Sequence, residues 1–371
     1  MQIHRRLAPL IVGLVAALVA APTMGSEAGS GGNLFIYNWS DYIAEDTIAQ
    51  FEAETGIKVT YDVFDSNEVL EAKLLAGSTG YDLVVPSLAF LGRQIIAGVF
   101  QPIDRSKLSN YDKLDPQLLA RIAEVDPDNK HAVPYLWGTT GIGYNVEKIA
   151  AIFGEDFEVD SWDLVFDPAY AERISACGFS MLDAASEMIP IALHYIGEDP
   201  NSFDPDVIAK SHDVLAAVRP HVTYFHSSQY MNDLANGDIC VAVGWSGDVF
   251  QAIDRAGEAE RGVEIDYVIP AEGAPVWFDM LAIPADARNV DNAHRFIDFL
   301  LRPEVMAAIT EYVAYANPVP ASRELMDEEL RNDPDIFPPP EVMERLYGLK
   351  VLPRDVDRAY TRTWTRVRTG R

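Results

Sequence analysis

Between Phe35 and Ser87 the chain alternates strand-type and helix-type patterning with almost no intervening sequence, and this restricts the fold more than any other feature. Phe35 to Tyr37 is a short run of β-formers. Ala44 to Thr55 carries Ala44, Ile48 and Phe51 at helical spacing and stops at Gly56. Ile57 to Phe64 alternates, Glu68 to Ala76 reads as a helix ended by Gly77 and Gly80, and Tyr81 to Pro86 is apolar enough to be covered on both faces. The order β-α-β-α-β with short links predicts parallel strands joined by crossover helices, hence an open α/β sheet. Ligands sit at the carboxyl edge of such a sheet. The first strand delivers Trp39, Ser40, Asp41 and Tyr42 to that edge, and the third delivers Ser87. Taken locally, the same residues would serve equally as core aromatics and a helix cap.

The later chain supplies more strand exits. Cys177 to Leu182 reads as a strand followed by Asp183 and Glu187, and Ile239 to Gly244 as a strand followed by Trp245 and Asp248; Val263 to Ile269 is another strand. Two long extended runs stand out, 131–145 (HAVPYLWGTTGIGYN) and 272–284, the second carrying Trp277 and Asp279. Gly138, Gly141 and Gly143 match neither a phosphate loop nor a dinucleotide fingerprint. Two extended crossings predict that the chain leaves a first lobe, builds a second and returns. The expected division is 31–136 with 277–303, and 137–276 with 304–371, each lobe a mixed sheet flanked by helices, with the crossing strands as hinge and a ligand cleft between. Helices are also expected near Phe90 to Ala97, Ser161 to Phe166, Val207 to Val218 and Asn292 to Leu301. Pro303 opens another, and Tyr315 lies in the loop that ends it. Residues 322–371 read as helical, Pro-rich and basic at the end (Arg362, Arg366, Arg368, Arg371), covering the second lobe.

Residues 1–26 place Arg5 and Arg6 ahead of an apolar run from Leu7 to Ala21 that falls short of a membrane span, which predicts a secretory signal peptide cleaved between Ala21 and Ala28. No cysteine lies there to carry a lipid. The formal net charge of −28 argues against nucleic acid and anionic lipid as partners and suits a cationic ligand. The two cysteines, Cys177 and Cys240, have no metal-ligand spacing; in an oxidising compartment they predict one disulfide, two buried thiols being the alternative.

Five blocks carry a further signal: LFIYNWSDYI, VFDSNEVLEAKLLAGSTGYDLVVPS, GTTGIGYNVEK, YFHSSQYMNDLANGDICVAVGWSGDVFQA and WFDMLAIPADA. They resemble the periplasmic putrescine-binding proteins of polyamine ABC transporters, with the spermidine-binding proteins as cousins, and the resemblance spans nearly the whole chain after the signal. It implies a two-lobed periplasmic binding protein of type II, without cofactor, metal or catalytic residue. Such a protein closes on a polyamine in the periplasm and delivers it to an inner-membrane permease with its ATPase; a monomer is expected, because a receptor that must open, close and dock gains little from a permanent partner. The ligand set it implies is Trp39, Ser40, Asp41, Tyr42, Ser87, Glu187, Trp245, Asp248, Trp277, Asp279 and Tyr315.

The chemistry of those residues agrees with that implication. Putrescine is a diammonium rod with nitrogens roughly 6 Å apart when extended, and burying an unpaired ammonium costs several kcal/mol, so carboxylates must meet each end. Asp248 and Asp279 are expected at one end, with Asp41, Ser40 and Glu187 toward the other. Trp39, Trp245, Trp277 and Tyr315 would cover methylenes and attract ammonium groups. Asp41 would also suit a helix cap, and Glu187 a helix dipole. Trp277 matches the spermidine type, whereas Ala89, Ala184 and Leu349 match the putrescine type, so putrescine or a mixed preference is expected. A polyamine sensor for a membrane signalling partner is the alternative function. An enzyme on the same scaffold would need a nucleophile and base, for which His226 beside Ser227 and Ser228 offers a dyad or, more simply, strand packing.

Overall fold

The computed structural model describes residues 31–370; the predicted signal peptide lies outside the described residues. Ten strands form, β1 (Asn33–Trp39), β2 (Lys58–Phe64), β3 (Leu83–Val84), β4 (Ala132–Asn145), β5 (Phe179–Met181), β6 (Tyr224–Phe225), β7 (Val241–Trp245), β8 (Ile265–Val268), β9 (Pro275–Ala282) and β10 (Tyr347–Gly348). As the opening alternation requires, β1 pairs in parallel with β2 and β3 across the helices Thr47–Thr55 and Asn67–Ala76. Gly56 ends the first helix at φ 70°, a conformation that favours glycine. Ser66 caps the second by accepting the Val69 N–H at 3.3 Å.

The third strand is shorter than its apolar run predicts. The Asp82 carboxylate accepts the N–H groups of Phe35 at 3.0 Å, Arg288 at 2.9 Å and Asn289 at 2.8 Å, so a side chain takes over part of the ladder. Pro86, beyond it, has no N–H to offer.

The strands run in the order β2-β1-β3-β9-β4-β7-β5-β6. The 14-residue β4 joins the two halves: Ala132 to Thr139 pair with β9, while Thr140 to Tyr144 pair with β7 and Ile142 to Asn145 with β8, all antiparallel. Its register shifts between Pro134 and Trp137. Gly141 is required by close approach, since a Cβ there would lie 2.4 Å from the Val268 carbonyl oxygen. After β8 the chain returns along β9, which runs antiparallel to both β3 and β4.

Two hydrophobic clusters flank this junction. The first gathers β1 to β3, β9 and the opening half of β4; the second gathers β5, β7, β8 and the far half of β4. The helix Pro303–Val313, placed with the second lobe from sequence, sends Val305, Met306, Ile309 and Val313 into the first cluster. The helix Arg354–Thr369 buries Val356, Tyr360, Trp364 and Val367 in the second. Between these two helices the chain is less helical than expected, broken at Pro334 and at Pro338 to Pro340 into the single turns Glu328–Arg331 and Pro340–Met343. The disulfide Cys177–Cys240 ties the approach to β5 to the approach to β7. Among the described residues no helix is long and apolar enough to cross a membrane.

Candidate ligand-binding site

A cavity of about 490 Å³ opens between the two clusters, and all eleven residues singled out from sequence line it. Its walls are aromatic. Trp39, at the end of β1, is pinned by its Nε1 donating to the Val85 carbonyl at 2.9 Å, and its ring meets Trp245, at the end of β7, edge-on at 5.4 Å. Trp277 stands edge-on to Tyr315 at 5.3 Å and to Trp245 at 6.5 Å, and Tyr42 edge-on to Tyr315 at 5.1 Å. Rings from both halves of the molecule thus form one continuous surface.

Three carboxylates are buried in this lining. Asp279, on β9, accepts the Ser87 hydroxyl at 2.5 Å, and Ser87 is itself held by Asn67, which donates to its Oγ at 2.9 Å and accepts its N–H at 3.0 Å. The Tyr42 hydroxyl is buried next to Asp279, whose charge helps keep the phenol protonated. Asp248, in the first turn of the helix Ser246–Ala259, accepts Tyr315 at 2.6 Å and Tyr230 at 2.8 Å. Glu187, in the first turn of the helix Ala185–Tyr195, accepts the Trp245 indole on both oxygens at 3.1 Å and the Thr140 hydroxyl at 2.5 Å. Burial pushes Asp248 and Asp279 up to about 7, against the downward pull of the hydroxyls, and raises Glu187 in the same way. Each direct partner is a neutral donor. Among the described residues no cationic side chain forms an ion pair with any of the three.

Asp41 differs from these three. Its backbone is left-handed at φ 52°, its carboxylate is half exposed, and Oδ1 pairs with Arg255 on the helix Ser246–Ala259 at 2.8 Å. Its carbonyl accepts Gln251 of the same helix at 3.2 Å. Asp46, rather than Asp41, precedes the helix Thr47–Thr55, so Asp41 is not a cap, and its charge is already matched. Ser40 lines the cavity with its N–H on the Phe64 carbonyl at 3.1 Å. Asp248 and Asp279, which sequence reasoning set at one ammonium, have separate hydrogen-bond partners, Tyr315 and Tyr230 for the one and Ser87 for the other.

Sequence reasoning missed the residues that hold the site. Tyr230 and Thr140 carry no local signal beyond membership of the motif blocks, and Asn67 reads as ordinary first-turn helix. Arg255 looks like a solvated helix residue until the helix is placed. Ala89 and Leu349 line the cavity, while Ala184 packs behind it. His226 continues the pairing of β6 with β5, its N–H donating to the Met181 carbonyl at 3.0 Å, and its Nδ1 accepts the N–H groups of Ser228 and Gln229, each at 3.1 Å, closing a turn.

Residues 46–338 match the family of bacterial extracellular solute-binding proteins. The chain is 55% identical to the putrescine-binding periplasmic protein PotF of Escherichia coli (strain K12), over 97% of each chain. It is 51% identical to the putrescine-binding periplasmic protein SpuD of Pseudomonas aeruginosa (strain UCBPP-PA14), over 96% of this chain and 98% of the relative. Among solved structures, a putative spermidine/putrescine ABC transporter protein from Listeria monocytogenes superposes with a TM-score of 0.82 at 34% identity, covering 91% of this chain and 99% of that one. The expected two-lobed α/β architecture is the one these structures share.

Proposed function

The chain belongs to the bacterial extracellular solute-binding proteins, and from that membership we propose that it captures a polyamine, putrescine first and spermidine second, and delivers it to an inner-membrane ABC permease driven by its ATPase. The relatives are binding proteins, and binding is the whole of the chemistry required. The observation that carries the reading is the set Asp248, Asp279 and Glu187, three buried carboxylates held by neutral donors inside aromatic walls and, among the described residues, in no ion pair with a cationic side chain. A diammonium rod supplies the missing positive charge at both ends and apolar methylenes between. One ammonium sits against Asp279 and Glu187, the other against Asp248, and the rings of Trp39, Trp245, Trp277 and Tyr315 enclose the methylenes.

The same reading sets the lobes at 31–136 with 277–303 and 137–276 with 304–371, turning about β4 and the return into β9, with the helix Pro303–Val313 shared across the seam. Residues 1–26 act as a removed signal, the protein works as a monomer in the periplasm, and Asp41 bridges to Arg255 rather than to the ligand. Calorimetric titration of the mature protein with putrescine, cadaverine, spermidine and spermine tests this. Putrescine is expected to bind tightest with the ligand recovered unaltered; no binding by any of the four, or conversion of the ligand, would overturn it.

A further inference from the structure

The helix Arg354–Thr369 carries arginine at every fourth position, Arg354, Arg358, Arg362 and Arg366. That spacing lines the four guanidinium groups along a ridge about 18 Å long that winds slowly round the helix. All four residues are exposed, and none of the four guanidinium groups has an ion-pair or hydrogen-bond partner among the described residues. Neighbouring basic groups are engaged: Arg368 pairs with Asp183 at 2.8 Å, and Arg219 donates to the Arg368 carbonyl at 3.3 Å. Like charges four apart oppose helix formation. The chain has 57 acidic residues against 29 basic ones, yet among the described residues none of the acids forms an ion pair with these four.

We propose that the ridge is a docking surface for a carboxylate-rich protein face, that of the membrane partner receiving the ligand; this rests on the transport reading above. Guanidinium forks match carboxylates two bonds at a time. A lipid surface fits less well. The apolar residues Val356, Tyr360, Trp364 and Val367 are all turned into the core, so the exposed face, with Asp355, Thr361, Thr365 and Thr369 among the arginines, has nothing to insert into a bilayer. A net charge of −28 also opposes approach to anionic lipid.

The placement of the ridge adds a role. It begins two residues after Leu352, the last of the cavity-lining residues on that segment. Asp357, in the helix's first turn, accepts Arg93 from the helix Leu88–Ile96 at 2.9 Å across the cleft. The ridge therefore starts at the seam where the two halves meet, and a partner gripping it together with the first half contacts an arrangement that exists only while the cleft is shut.

The test uses Arg358→Glu/Arg362→Glu and the charge-conserving Arg358→Lys/Arg362→Lys in the full-length protein, expressed in cells that lack their own copy but retain the transporter. Radiolabelled putrescine uptake, calorimetric putrescine affinity of the purified protein, and flotation with phosphatidylglycerol vesicles are read in parallel. Charge reversal is expected to lower uptake by about tenfold or more with affinity within about twofold, while the lysine variant keeps most of the uptake and no form floats with vesicles. Uptake within about twofold of the unaltered protein after charge reversal would overturn the proposal. Flotation that charge reversal abolishes would overturn it in favour of lipid. A purified protein that binds no putrescine sinks the transport reading itself, whereas normal binding and import after charge reversal sink the ridge alone.

Discussion

Asp279 and Asp248 are held by hydroxyl groups that can orient a carboxylate without neutralising it. For Asp279, Ser87 and Asn67 form a fixed relay from the helix Asn67–Ala76, so the carboxylate is oriented before any ligand arrives. Replacing it with Asn keeps the shape and removes the charge. Asp279→Asn is expected to weaken putrescine binding by about 2–5 kcal/mol, seen as a large rise in calorimetric Kd with melting temperature little changed. Trp277 calls for a different experiment. Its indole N–H is buried with no acceptor among the described residues, so Trp277→Phe forfeits no hydrogen bond to them and changes only the width and shape of the slot. The substitution is expected to shift the ratio of putrescine to spermidine affinities; an unchanged ratio would place selectivity elsewhere in the wall.

At the scale of elements, neither cysteine of the disulfide lines the cavity, which lets stability be separated from binding. Removing it through Cys177→Ser/Cys240→Ser is expected to destabilise the protein by about 2–4 kcal/mol, read as a lower denaturant midpoint, with putrescine affinity retained once folded. The elements themselves were largely visible in the chain, because helix stops such as Gly56 and apolar runs such as Ile239 to Gly244 are local. What stayed hidden was set by distant side chains. The Asp82 carboxylate shortens β3 through partners more than two hundred residues away, and the pairing of Asp41 with Arg255 arises only when the helix Ser246–Ala259 brings the two together. The lining of the site was legible because strand ends and motif blocks mark it. The residues that hold it, Tyr230, Thr140 and Asn67, act through tertiary contact and have no local pattern.

For the molecule as a whole, the buried carboxylates couple binding to pH. Asp248 and Asp279 titrate near 7 in the empty folded protein, well above their ordinary value of 3.8, because burial disfavours the charge. These two groups therefore hold protons in the folded protein that the unfolded chain releases, and their contribution to stability declines as pH rises from about 4 to about 7 and is level above that. Ligand binding runs the other way, since a dication needs both groups ionised. Putrescine affinity is expected to fall as pH drops below 7, with release of up to about two protons per ligand near pH 6 and almost none at pH 8.5. Calorimetry in buffers of different ionisation enthalpy measures this directly, and binding without proton release at pH 6 would contradict the burial argument.

The place of β9 between β3 and β4 has a consequence for how the protein is made. The half of the sheet built on β1 to β3 contains a strand drawn from residues 275–282, so nothing synthesised before that point can close it. The half built on β5 to β8, by contrast, has all its strands once residue 268 has emerged. A nascent chain therefore holds every strand of its later half before it can close the earlier one, and carries an open-edged amino-terminal segment until about three-quarters of the polypeptide exists, so neither half locks early: the later one still waits for the helix Arg354–Thr369.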